Sequence, residues 1–344
     1  MYLCSGMDKN CQLLGISAAM HFLMDGMCIC CLFLLSAAYG DYWGAYGDRM
    51  SMGAILIYNV LAFMSQPLTG LMVDRMTHRH WLLLSSALLL LSSALLLTTA
   101  VAVAWLLMSN VSFAGKLDWL ILLVALPLGA GNSLFHVWGG KQTVVKTGND
   151  IRALGVFVST GALGLAVGAV FCSWVLLYAL LLTFVVLSMA YVCWDDGASR
   201  SVEDIRGNFP WLTPVTIGAL VVMLMLCVGY RSFAGELFSE GITKSQSLIL
   251  VIGLVAMLGK IAGGWIARWV GILPSVLVIL AGVALCFLIR SQLVWVLLLG
   301  IFLMNCTMPI TLYLANLLLP KREGLAFGLL AAALIPGWLL AVYL

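Results

Sequence analysis

The chain has 344 residues, of which 63% are hydrophobic and 9% charged, with a formal net charge of +3. A soluble domain carries about 25% charged residues, so this composition excludes one and indicates an integral membrane protein. The basic residues are scattered rather than clustered, which leaves no footprint for nucleic acid, and none is expected as a partner.

A helix needs about 20 apolar residues to cross the hydrocarbon core, and backbone hydrogen bonding in lipid makes such runs helices rather than strands. Eleven runs qualify, at residues 11 to 38, 50 to 73, 81 to 108, 118 to 139, 152 to 173, 175 to 194, 211 to 231, 246 to 268, 272 to 290, 292 to 318 and 324 to 344. The first contains "HFLMDG", with His21 and Asp25 four residues apart and therefore on one helix face. The second holds Asn59, Gln66 and Pro67 and leads into "GLMVDRMTHRH", Gly70 to His80. The fourth carries Pro127 and "GAGNSLFHVWGG", which places Asn132 within the span and His136 toward its end, beside Trp138 and Lys141. In the fifth, Gly161, Gly164 and Gly168 have the spacing that lets helices approach closely.

Residues 195 to 210, "DDGASRSVEDIRGNFP", separate six spans from five. The expected organisation is an N-terminal six-helix bundle over 1–194, a cytoplasmic linker over 195–210 and a C-terminal bundle of five helices over 211–344. In the second half Arg231 closes the seventh run near Glu236, an outer pair that reads equally as a gate or as an exposed loop contact. Lys260 lies within the eighth run and is expected to snorkel to the inner surface. Asn305 and Pro309 fall in the tenth.

With the N-terminus inside, Lys9, Arg75, Arg79, Lys141, Lys146, Arg152, Arg200, Arg206, Arg268, Lys321 and Arg322 face the cytoplasm. Only Arg49, Lys116, Arg231, Lys244 and Arg290 face outward, so the positive-inside rule puts the N-terminus in the cytoplasm. Most of the ten cysteines sit inside apolar runs, where they behave as small hydrophobes. Cys30 and Cys31 diverge by about 100° on a helix, which makes "CICC" a poor ligand set, and no metal or cofactor is expected. Nor is an enzyme expected, since His-Glu-x-x-His, Gly-x-Ser-x-Gly and phosphate-loop patterns are missing from the sequence.

Ionisable side chains at the bilayer centre cost at least about 2.5 to 3.5 kcal/mol and therefore face a cavity or a partner. Two readings of His21 and Asp25 stand at this point. They exchange protons near neutral pH along a translocation path, or they satisfy each other as a structural pair. His136 reads as a structural or gating residue at the membrane boundary. Asn59, Gln66, Asn132 and Asn305, with His136, are the candidate substrate-cavity residues, and interhelical hydrogen bonding is the alternative use of the amides.

The stretch from Gly70 to His80 resembles the signature between the second and third helices of the major facilitator superfamily, with Gly70, Asp74, Arg75 and Arg79 matching and Thr77 where a second glycine is usual. "HFLMDG" and "GAGNSLFHVWGG" are similar to first- and fourth-helix segments of the fosmidomycin-resistance-like group, with Met24 for asparagine and Val137 for proline. The resemblance implies an all-α, two-bundle fold with a central cavity bordered by the first and fourth helices of each half. It also implies a cytoplasmic latch in which the carboxylate caps a helix N-terminus of the other half and pairs with arginine. A twelfth helix, which the resemblance implies, is absent from the sequence to Leu344.

The expected function is secondary active transport in a bacterial-type inner membrane by a monomer: efflux of a small antibiotic- or sugar-like molecule in exchange for protons, with His21 and Asp25 as the coupling site. A proton-coupled uptake symporter for a small polar solute, and a receptor or assembly protein that transports nothing, are the alternatives.

Overall fold

The structure is a computed structural model that describes residues 9–43, 45–76, 80–107, 119–200, 202, 204, 205, 209, 211–240, 242, 245–289 and 293–343. Arg79 of the expected latch lies outside the described residues. Regular structure among the described residues is entirely helical: α1 (Lys9–Trp43), α2 (Ala45–Asn59), a π-helical turn (Val60–Met64), α3 (Gln66–Arg75), α4 (His80–Leu107), α5 (Trp119–Thr147), α6 (Ile151–Val170), α7 (Trp174–Trp194), α8 (Pro214–Glu240), α9 (Gln246–Val270), α10 (Ile272–Ile289), α11 (Val294–Leu318), α12 (Glu323–Ala332) and α13 (Leu334–Tyr343). Eleven segments of described residues are long and apolar enough to cross a membrane, and the chain is an integral membrane protein.

Two of those segments are broken, and proline chemistry accounts for the breaks. Pro67 lacks the N–H that would close the preceding turn, and just before it the Ser65 N–H reaches the Val60 carbonyl at 3.2 Å, an i to i−5 bond that widens the helix. The wide turn separates Asn59 from Gln66. The eleventh span is interrupted at Ala333, three residues before Pro336. Side-chain caps start other helices: Ser173 accepts from the Leu176 N–H at 3.2 Å, and Asp150 from the Arg152 N–H at 2.9 Å. Burial works against the charged form of Asp150, but the hydrogen bonds from Arg152 outweigh it and hold this carboxyl below the ordinary carboxylate range.

The larger apolar cluster gathers side chains from α1 to α7 with contributions from α8, α11 and α12; a second gathers α8 to α11 around Phe238, Ile279 and Met304. Between them α6 is pressed against α1 on one side and α9 on the other. A Cβ on Gly164 would lie 2.2 Å from the Phe22 carbonyl oxygen, and one on Gly264 would lie 2.6 Å from that of Ile151. The glycine spacing seen in the fifth run thus permits backbone contact.

The start of the 195–210 segment is tied down rather than loose. Asp195 pairs with Lys146 and with His80 Nε2 at 3.3 Å, the Ala198 carbonyl accepts from Lys146 at 2.6 Å, and the Arg200 N–H donates to Val145 at 2.6 Å. These bonds lie at the end of the bundle where α1 begins, as does the pair between Lys9 and Asp196.

Candidate functional site

A cavity of about 460 Å³ lies between the elements of the two clusters. Its wall carries the acid, base and cation side chains of His21, Asp25, His136, Arg231 and Lys260, set among apolar groups such as Phe33, Ile55, Leu165, Met308 and Leu334. A volume in this range suits a small organic ligand.

Two helices bring the first three together. His21 and Asp25 stack one turn apart on α1, with His21 Nε2 at 3.3 Å from Asp25 Oδ2. From α5, His136 Nε2 reaches the other carboxylate oxygen at 3.2 Å. The expectation that His136 stands at the membrane boundary is corrected: α5 continues to Thr147, three turns beyond it, so His136 sits deep in the bundle and completes a His-Asp-His triad. The rings are edge to face at 4.6 Å, and Phe157 lies 4.7 Å from the His21 ring.

The other ring nitrogens decide the chemistry. His21 Nδ1 is 2.8 Å from the Phe157 carbonyl oxygen, and His136 Nδ1 is 2.9 Å from that of Asn132. A carbonyl only accepts, so each Nδ1 carries the hydrogen, and in the neutral tautomer each Nε2 points a bare lone pair at the carboxylate. Three acceptors facing one another repel unless a cation lies among them. The triad is therefore built to hold at least one proton, as an imidazolium paired with the carboxylate or as a carboxylic acid donating to one ring.

Space for the triad comes from α6. A Cβ at Gly161 would fall 2.2 Å from Asp25 Oδ2 and 2.6 Å from His21 Nε2. The sequence showed this glycine only as a packing residue.

No metal was expected, yet the ligating atoms of His21, Asp25 and His136 all lie within 4.8 Å of one another, a separation that one cation can bridge. Electrostatics favour a proton in that role. Lys260 is within electrostatic reach of Asp25, and a divalent ion at the triad would meet its repulsion with twice the proton's charge.

Both cations depart from expectation. Lys260 was expected to snorkel, but it stands ten residues before the end of α9, about 15 Å along the axis, and its side chain lines the cavity. Arg231 was placed at the outer end of its span, but α8 runs on to Glu240, and the residue is 8% exposed and lies inside the bundle. An arginine interrupting an apolar run marks a span boundary as readily as a buried site, which is why the signal was ambiguous.

Among the other candidate residues, Asn59 and Gln66 line the cavity on either side of the π turn. Gln66 donates to the Ala62 carbonyl at 2.7 Å, while its buried Oε1 has no hydrogen-bond partner. Asn132 and Asn305 are corrected, since neither lines this cavity. Asn132 is fully buried and donates to the Tyr58 hydroxyl at 3.0 Å, and Asn305 donates to the Ile301 carbonyl at 2.8 Å. Tyr58, which does face the cavity, was missed because tyrosines are common at span ends.

The stretch after the second span closes one end of the bundle. Asp74 Oδ1 accepts from the Gly324 N–H and Oδ2 from the Leu325 N–H, each at 2.9 Å, so the carboxylate caps α12. Among the described residues its ion-pair partner is Lys141 on α5 at 3.1 Å, and Arg75 is exposed. Gly70 lets α3 and α12 touch, because a Cβ there would lie 2.4 Å from the Gly324 carbonyl oxygen.

No protein-family model matches the sequence. No curated protein matches it either. Solved structures do. The crystal structure of the E. coli fucose:proton symporter aligns with a TM-score of 0.70 at 12% identity, over 98% of this chain and 91% of the symporter. A bacterial homologue of the iron transporter ferroportin in an outward-facing state aligns with a TM-score of 0.58 at 14% identity, over 96% of this chain and 90% of that one. The same homologue with soaked iron gives 0.62 at 15% identity, over 96% and 89%. At these identities the likeness shows the fold alone: the chain shares the all-helical architecture of the fucose:proton symporter and of the ferroportin homologue.

Proposed function

We propose that this protein is a secondary active transporter that carries a small molecule through the central cavity by alternating access and couples the movement to protons at the His21-Asp25-His136 triad. The observation that carries the reading is the orientation of two Nε2 lone pairs toward one carboxylate within the cavity wall. A structural pair would need only one donor and one acceptor; this arrangement repels itself unless a proton is bound. The residues 1–194 and 211–344 act as the two rocking bodies, with 195–210 joining them, and Gly70, Asp74, Arg75 and Lys141 form the cytoplasmic latch. The distribution of basic residues supports a cytoplasmic N-terminus, and the membrane proposed with it is a bacterial-type inner membrane.

Export in exchange for protons is the leading reading. Uptake by symport is favoured by the neighbour whose structure is that of a proton symporter. The test is proton flux in proteoliposomes loaded with pyranine, challenged with a panel of sugars, organic acids and antibiotics. Flux that depends on a solute and is lost in Asp25→Asn supports the coupling site, and the sign of the lumenal pH change separates symport from exchange. Equal flux in the wild type and the variant would overturn the coupling role, and silence with every solute would favour a receptor.

A further inference from the structure

The cavity's charges do not balance. With both histidines neutral, the described residues of its wall hold two cations, Arg231 and Lys260, against the carboxylate of Asp25, a net of +1; the proton that the triad requires raises this to +2. The carboxylate is engaged by two histidines, which leaves the cations to something else. Arg231 is 92% buried, and its Nη1 has no hydrogen-bond partner. Lys260 projects into the same space from α9, and the like charges of the two side chains repel.

A buried, unpaired guanidinium is costly to maintain, and the planar fork of arginine matches an oxyanion in two-point geometry. Most of the remaining wall is aliphatic and aromatic, with Phe33, Ile55, Phe63, Leu165 and Leu334, and Tyr58, Asn59, Gln66 and Thr311 add uncharged polar groups. We infer that the substrate is a small organic oxyanion, its charged head held between Arg231 and Lys260 and its apolar body lying against this wall. The inference rests on the reading of the cavity as the transport site and narrows the molecule carried there to one charge class.

The test uses the full chain purified in detergent and matched probes: benzenesulfonate and hexanesulfonate, the corresponding sulfonamides, and benzylammonium. Sulfonates stay ionised throughout the usable pH range, so differences between probes report head-group charge. Affinity is read from the ligand-dependent rise in the unfolding midpoint. The sulfonates are expected to bind with Kd below about 1 mM, and the sulfonamides and the ammonium to bind at least about tenfold more weakly. Arg231→Gln and Lys260→Gln should each weaken sulfonate binding by about tenfold to a hundredfold, while Arg231→Lys, which keeps the charge, retains most of it. Asp25→Asn should bind sulfonates about as tightly as the wild type, because it leaves both cations in place. Should one glutamine variant fail to fold, the other and Arg231→Lys carry the comparison.

The inference is overturned if sulfonamides or benzylammonium match the sulfonates, if neither sulfonate shifts the midpoint up to about 10 mM, or if both glutamine variants keep wild-type affinity. The assay involves no proton movement, so its failure leaves proton-coupled transport standing. Sulfonate binding without flux of any solute would do the reverse.

Discussion

Removing the Asp74 carboxylate should unlock α12 from α3. In the structure the side chain is 1% exposed, accepts two backbone N–H bonds at 2.9 Å and pairs with Lys141 at 3.1 Å. Loss of an N-cap costs about 0.5 to 2 kcal/mol, and hydrogen bonds to a charged group are each worth about 1.5 to 3 kcal/mol. These terms overlap, so a combined loss of about 2 to 4 kcal/mol is expected in Asp74→Ala. At 1.4 kcal/mol per factor of ten, local opening at the first turn of α12 becomes roughly 30-fold to several hundred-fold more frequent. Amide hydrogen exchange at Gly324 and Leu325 reads this directly, since those N–H groups are the ones Asp74 accepts. Asp74→Asn should fall between, because one amide oxygen can still accept while the NH2 faces the second N–H. Unchanged exchange at both amides in Asp74→Ala would refute the latch, whatever the transport phenotype.

Gly161→Ala should push the triad apart, because its Cβ would sit 2.2 Å from Asp25 Oδ2. Overpacking of this kind costs about 1 to 3 kcal/mol, so a lower unfolding midpoint together with impaired proton flux is expected; wild-type stability and flux would show that α6 does not set the space. Asp150→Ala should destabilise by about 0.5 to 2 kcal/mol through loss of the α6 cap. Because Arg152 holds the Asp150 carboxyl below its ordinary value, this contribution is fully present above about pH 4 and fades as the pH falls through the folded-state value. A difference between the wild type and the variant that grows on acidification contradicts that assignment.

Much of the site was legible, though in fragments. His21 and Asp25 were visible because charge inside an apolar run is expensive and four-residue spacing puts both on one face. His136 was visible as a residue but not as their partner, because nothing local states which face of α5 meets α1. Asp74 was legible as a cap, while its pairing with Lys141 was not, because the two lie 67 positions apart and only the fold brings them together. Gly161 looked like any close-packing glycine, since its role depends on the atoms that occupy the space it leaves.

Composition and run length were enough to establish a helical integral membrane protein with eleven candidate spans among the described residues, because the bilayer imposes the same burial and hydrogen-bonding demands on every segment regardless of its neighbours. Only the tertiary structure decided that His136 joins His21 and Asp25, that Lys260 and Arg231 share their cavity, and that Asn132 and Asn305 do not line it. The rotation of each helix about its axis is set by packing against the others, and a sequence in which nearly every face is apolar does not encode it locally.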